Sequence, residues 1–191
     1  MTGVGRVELL QWSDGDLWAV ERFLGDPEMM RHLGGPQSHQ QVLDQHERYL
    51  DAGKSGTGEM FKIVLHHTSD AIGNVGYWDK TWRDELVYET GWMMLPEYQG
   101  RGYASEALQL LVERLRREHA RRFLHAFPAI TNGPSNALCR KAGFTNLGPF
   151  DFEYPPGRPL QCNDWRLDLA PTPDQPDLAA EAIPTYHRSD S

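Results

Sequence analysis

The stretch richest in chemistry runs Tyr88-Glu89-Thr90-Gly91-Trp92-Met93-Met94-Leu95-Pro96-Glu97-Tyr98-Gln99-Gly100-Arg101-Gly102-Tyr103-Ala104. It reads as a strand halted at Pro96, a glycine-rich turn from Gln99 to Gly102, and the opening of a helix. Glycines at 100 and 102 permit positive φ and close approach, so consecutive backbone N–H groups can converge on an anion at the positive end of that helix. Arg101 adds a charge at the rim. The turn lacks the Lys-Ser/Thr of a nucleoside triphosphate loop. Its preceding strand belongs to an antiparallel run instead of a βαβ unit, which argues against a dinucleotide fold. A phosphate-bearing ligand of another kind is the expectation.

Other reactive side chains form weaker patterns. Among the 8 histidines, His66-His67 are neighbours on a strand and point to opposite faces, so no metal site is expected. Cys139 and Cys162 form no Cys-x-x-Cys motif, and Met1 to Leu10 has no apolar run of signal-peptide length. A cytoplasmic protein with free thiols follows as the expectation. No apolar run approaches the roughly 18 residues of a membrane span, so no membrane partner is expected. With 27 acidic residues against 19 basic ones, the chain is poorly suited to nucleic acid and better suited to an amine-bearing partner.

The elements around the glycine turn follow from periodicity. Arg6 to Gln11 reads as a strand, and Ser13 or Asp14 caps a helix carrying Leu17, Val20, Phe23 and Leu24. Pro27 opens a short turn through Leu33, and a polar amphipathic helix spans about Ser38 to Ala52 before a loop at Gly53 to Gly58. Strands at Phe61 to Leu65, Ala71 to Trp78 and Leu86 to Met94 make a meander, with turns at Thr68 to Asp70 and Asp79 to Asp84. After the turn, Ala104, Ala107, Leu108, Leu111, Val112 and Leu115 form one apolar helical stripe. A strand at Arg122 to Phe127, a short helix at Ser135 to Lys141, and a hairpin-like pairing of Asp151 to Tyr154 with Trp165 to Leu169 complete a domain over residues 1–170. Pro171, Pro173, Pro176 and Pro184 alternate with acids and small residues, so 171–191 reads as a flexible tail.

The run Gln99-Gly100-Arg101-Gly102-Tyr103-Ala104 matches every fixed position of the signature Gln/Arg-x-x-Gly-x-Gly/Ala, and the chain thereby resembles the GNAT acetyltransferase superfamily. Asn132-Gly133-Pro134-Ser135 with Gly143-Phe144 is similar to a second family segment. Its spacing, with Leu24 to Gly35, points to the branch of ribosomal-protein N-terminal and aminoglycoside acetyltransferases. The resemblance implies an α+β fold with a strongly twisted mixed sheet of about seven strands, flanked by about four helices and splayed between strands 4 and 5. Acetyl-CoA would enter the splay. Backbone groups of Trp92, Met93 and Met94 would pair with the pantetheine arm, with Asn132 opposite. Gln99, Gly100, Arg101, Gly102, Tyr103, Ala104 and Ser105 would hold the pyrophosphate.

The resemblance also implies direct attack of an amine on the thioester. Glu89, in a Glu-x-Gly pattern with Gly91, is the candidate base. The tyrosine that many relatives use to protonate the leaving thiolate is replaced here by Cys139, leaving Ser135 and Cys139 as candidate donors. The acceptor site would draw on His32, Trp78, Asp79, Trp82, Asp84 and Glu85, together with Asp151, Phe152, Glu153 and Tyr154. That aromatic and acidic set suits a small cationic amine such as an aminoglycoside. The branch resemblance keeps a protein N-terminus as the alternative acceptor, and a non-catalytic acyl-CoA sensor as a second. An exposed aromatic edge in the last strands would allow a homodimer.

Overall fold

The protein is described by a computed structural model covering residues 5–118, 120–153, 157 and 159–170. Its strands are β1 (Val7–Gln11), β2 (Gly58–Leu65), β3 (Gly73–Trp82), β4 (Glu85–Met94), β5 (Phe123–Ala126), β6 (Thr145–Glu153) and β7 (Pro159–Asp168). The helices are α1 (Leu17–Gly25), α2 (Pro27–Met30), α3 (His39–Ser55), α4 (Tyr103–Glu118) and α5 (Gly133–Lys141). All seven strands join one sheet in the order β1-β2-β3-β4-β5-β7-β6, antiparallel everywhere except where β4 meets β5.

That parallel contact is short. β4 and β5 pair only at Tyr88 with Leu124 and Glu89 with His125, after which the strands part. β4 nevertheless continues against β3 as far as Met94 opposite Gly73. The sheet is thus held on one side of β4 and open on the other for the last residues before the glycine turn.

The two faces of the sheet carry separate apolar clusters. On one, the α4 stripe of Ala107, Leu108, Leu111, Val112 and Leu115 packs on Val75, Tyr77, Tyr88 and Met94, with Cys139 and Phe144 from the α5 region. Full burial of each leucine contributes about 1.5–3 kcal/mol. On the other, Ala19, Val20, Phe23, Leu24 and Met30 of α1 and α2 pack with Val42 of α3 on Met60, Ala71 and Leu95. α4 anchors the phosphate turn, and α1 to α3 roof the opposite face.

Several boundaries differ from the sequence expectation. α3 runs through Ser55 and ends on Gly56 at φ 70°, a left-handed cap, so the first half of the expected 53–58 loop is helix and Gly58 already opens β2. The expected turn at 79–84 shrinks to Arg83 and Asp84, at φ 49° and 65°, because two positive-φ residues suffice to join twisted strands. The last pair has another register: Asp151 faces Gln161 and Thr145 faces Arg166, since both strands are longer than the apolar runs that marked them. The expected tail at 171–191 lies outside the described residues.

Candidate active site

A cleft of about 1020 Å³ opens where β4 and β5 part. Its donor end is the glycine turn. Gly100 and Gly102 have φ of 70° and 85°, which side-chain-bearing residues rarely adopt. Gln99, Gly100, Gly102, Tyr103, Ala104 and Ser105 all line the cleft, at the helix start where backbone N–H groups lack intrahelical acceptors. The turn is tied down from β1's side: Arg6 donates from Nη1 to the Arg101 carbonyl at 3.0 Å and from Nε to Glu106 at 3.2 Å. Arg101 itself stays off the cleft wall, with its guanidinium over the Tyr98 ring at 5.9 Å.

The next stretch is backbone. The Leu95 N–H donates to the Ile72 carbonyl. Antiparallel alternation then turns the Met93 and Gly91 peptide groups toward β3 and the Trp92 groups toward the open side. Met94 also faces the open side, but its carbonyl accepts from Gln99 Nε2 at 2.9 Å. Of the three residues expected to meet a pantetheine arm, Trp92 therefore presents both N–H and C=O. Asn132 lines the opposite wall, and its Oδ1 caps α5 by accepting from the Ser135 N–H at 3.2 Å. These groups fit an extended chain bearing amides and ending in a pyrophosphate.

The candidate catalytic residues are spread over three layers. Ser135 lines the cleft. Cys139 is fully buried in the α4-side cluster, and burial pushes its thiol up to about 12, which suits core packing instead of proton donation. Glu89 lies just behind the cleft wall, with Lys80 Nζ 2.5 Å from its Oε2 and both side chains mostly buried. The Lys80 ammonium sits over the rings of Phe127, Phe152 and Trp82 at 5.0, 5.6 and 6.0 Å.

Of the expected acceptor residues, His32, Trp78 and Phe152 line the cleft, and Asp79, Trp82, Asp84, Glu85, Asp151 and Glu153 do not. Asp79 pairs with Arg121 at 3.0 Å. Trp82 turns its Nε1 to Asp164 at 3.0 Å and packs on Phe150. Asp84 and Glu85 are exposed at the β3–β4 turn, Asp151 accepts from Gln161, and Glu153 is exposed. Tyr154 lies outside the described residues. The acidic ring expected from the sequence is therefore not assembled, and part of the aromatic set encloses the protein's own lysine.

What borders the acceptor side instead is Met29, Arg31 and Leu33 around α2, Gln45, Arg48 and Tyr49 of α3, Asn74, Gly91 and Met93 in the sheet floor, and Leu160 and Cys162 of β7. Among the described residues the lining carboxylates are Glu28 and Glu59, and each is already paired, with Arg31 at 2.9 Å and Arg114 at 2.7 Å. His32 bridges the cleft mouth from Nδ1 to Thr131 Oγ1 at 3.2 Å while Nε2 accepts from Arg31. Burial and the neighbouring Arg31 charge lower its pKa, which favours the neutral ring.

Two supports were invisible in the sequence. Asn136, 8% exposed, donates to the carbonyls of Ala129 and Asn132 and accepts from Asn163 Nδ2 and Trp165 Nε1. It fixes the β5–α5 loop to β7. His125 and Asp164 form a buried pair at 2.7 Å beside β4. Neither is marked by a local motif, since their partners in β7 are 27 to 39 residues away. Among the described residues no three His, Cys, Asp or Glu side chains are grouped to hold a metal ion.

Comparison with known proteins gives the same frame. The family model of the acetyltransferase (GNAT) domain matches residues 6–145. An uncharacterized N-acetyltransferase, YnaD of Bacillus subtilis (strain 168), is 27% identical over 160 residues, spanning 84% of this chain and 88% of that protein. A Salmonella typhimurium acetyltransferase that modifies the N-terminal serine of 50S ribosomal subunit protein L7/L12 superposes with a TM-score of 0.72 at 18% identity, covering 86% of this chain and 96% of that one. The aminoglycoside acetyltransferase AAC(6')-Ib in complex with coenzyme A superposes with a TM-score of 0.68 at 18% identity, covering 85% and 94%.

Proposed function

The chain belongs to the GNAT acetyltransferase family, and from that premise we propose that it moves an acetyl group from acetyl-CoA to a primary amine in uncharged surroundings. The N-terminal amine of a peptide and the amine of an amino-acid amide are of that class. One observation carries the choice: both described carboxylates on the cleft wall are neutralised by arginines, so none is left to hold a polycation. The L7/L12-modifying neighbour supports a peptide acceptor, and the aminoglycoside-modifying neighbour keeps a small polyamine as the competing outcome of the test.

Acetyl-CoA supplies an acyl group already activated as a thioester. The turn from Gln99 to Ser105 would hold its pyrophosphate, and Trp92 and Asn132 would flank the arm. On the acceptor side, Met29, Leu33, Trp78, Met93 and Phe152 make much of the wall apolar, and the Arg48 guanidinium disfavours an ammonium beside it. Both effects keep the attacking amine neutral. As the N–C bond forms and the C–S bond breaks, the amine proton passes to the Glu89 carboxylate by way of solvent, and Ser135 Oγ, the candidate donor on the cleft wall, relays a proton from solvent to sulfur and so keeps its own hydroxyl.

The test is release of coenzyme A thiol from acetyl-CoA in the presence of N-terminal peptides, amino-acid amides, polyamines and aminoglycosides. Turnover confined to the peptides and amides is the expected result. Turnover confined to the polycations would replace this acceptor, and coenzyme binding without any turnover would make the protein a sensor.

A further inference from the structure

The floor of the acceptor side holds one polar group that the reaction just described does not use. Asn74 lies in β3 opposite Met93, is 1% exposed, and borders the cleft. Its Oδ1 accepts from the Met93 N–H at 2.9 Å. A backbone N–H can only donate, so this contact fixes the amide orientation and directs the NH2 group elsewhere. That Nδ2 is buried and has no partner among the described residues. Burying an amide donor without an acceptor is unfavourable, so such a group in a native fold calls for an acceptor that arrives later.

Position decides which ligand brings it. The open edge of β4, where the arm of acetyl-CoA would run, faces β5. β3 is on the other side of β4, one strand spacing of about 4.8 Å further away. Asn74 and Met93, as register partners, share a sheet face. Met93 packs there with the cluster of α1, α2 and α3, on the face where Met29 and Leu33 also pack. A group meeting Nδ2 therefore lies under the α2 and α3 roof, with the acceptor, and not in the strand gap. Gly76, two residues along β3 and about 7 Å away, is opposite Gly91, at the point where β4 and β5 part. That reach suits an atom two or three bonds from an attacking nitrogen.

We propose that Asn74 selects the acceptor by donating from Nδ2 to an oxygen carried beside the reactive amine, such as the first carbonyl of a peptide or amino-acid amide. This rests on the acceptor reading above and sharpens it: the site distinguishes amines by a neighbouring oxygen, not by charge.

The experiment compares alaninamide with 3-methylbutan-2-amine, an isostere in which the carboxamide is replaced by isopropyl, using coenzyme A thiol release, with kcat/KM and KM expressed per concentration of neutral amine because the carboxamide also lowers the basicity of the neighbouring nitrogen. Wild type should prefer alaninamide by about 10- to 100-fold in kcat/KM. Asn74→Asp keeps an acceptor for the Met93 N–H and removes the donor, and Asn74→Leu removes both. Each should bring the preference to within about 3-fold by raising the KM for alaninamide, while the KM for acetyl-CoA changes less than about 2-fold. Equal use of the two amines by wild type overturns the inference, and needs no variant to fold. So does a preference that survives both substitutions, or a rise confined to the KM of acetyl-CoA. Turnover of neither amine, with polycations used instead, overturns the acceptor reading itself.

Discussion

On the donor side of the cleft, consecutive residues from Gln99 to Ser105 supply the wall, with only Arg101 turned away, and the working groups are largely backbone. On the acceptor side the wall comes from α2, α3, β3, β4, β6 and β7, and the working groups are side chains brought together from residues 28 to 162. A backbone site needs only local conformation, which glycines at fixed spacing impose. A side-chain site needs register, roof and floor to agree. The first kind tolerates side-chain change and keeps one ligand, whereas the second can change its ligand by single substitutions.

Glu89→Gln should separate the two sides most strongly. Turnover is expected to fall by about 100-fold or more with acetyl-CoA affinity within about 2-fold, as steady-state rates and calorimetric titration would register. Lys80 keeps its aromatic enclosure in that variant, so the fold should survive. A loss below about 3-fold would make Glu89 the structural partner of Lys80 only.

Asn136→Leu is next, because it strips partners from Asn163, Trp165 and the Ala129 carbonyl together. We expect a loss of about 3 kcal/mol, or roughly 6–12 °C in a thermal melt. An unchanged melt would mean that the β5–α5 wall is held by other contacts. Gly102→Ala is gentler and confined to the donor side. A Cβ there would sit at positive φ and 3.1 Å from Arg6 Nη2, so acetyl-CoA should bind about 5- to 30-fold more weakly with kcat at saturation nearly unchanged. A fall in kcat alone would blur the division between the sides.

The smallest expected effect is a pH dependence behind the acceptor wall. Burial pulls the Asp164 carboxyl upward, but hydrogen bonds from His125 and Trp82, helped by nearby Arg83, outweigh it and hold it below the usual carboxylate range. A carboxyl depressed on folding stabilises the fold above its unfolded value of about 3.9, and that contribution is lost as pH falls through the folded value. Asp164→Asn should therefore be less stable than wild type near neutrality, with the gap closing below about pH 4 in chemical denaturation.

The sequence revealed the two sides to different depths. The glycine turn, the α4 stripe and the meander were legible because each is a local pattern of spacing, and the family signature named their use. The acceptor side was not. Asp79, Trp82 and Asp151 are of the residue types that grip cations, yet Asp79 is held by Arg121, Trp82 by Asp164, and Asp151 by Gln161. Asn74 carried no signal, because a lone asparagine in a strand gains meaning only from the amide opposite it and the cleft beside it. Asn136 stood next to the recognised Ser135 and read as an ordinary helical residue, since its role depends on β7.

The most direct test of the central claim is an amide NMR titration of the 15N-labelled protein with coenzyme A. The account predicts that the largest shifts fall on Trp92 and on Gly100 through Ser105, with Asn74 and the α3 residues Gln45 and Arg48 little changed until an amine acceptor is added. Largest shifts on the α2, α3 and β3 residues from coenzyme A alone would contradict it, because the donor would then occupy the side assigned to the acceptor.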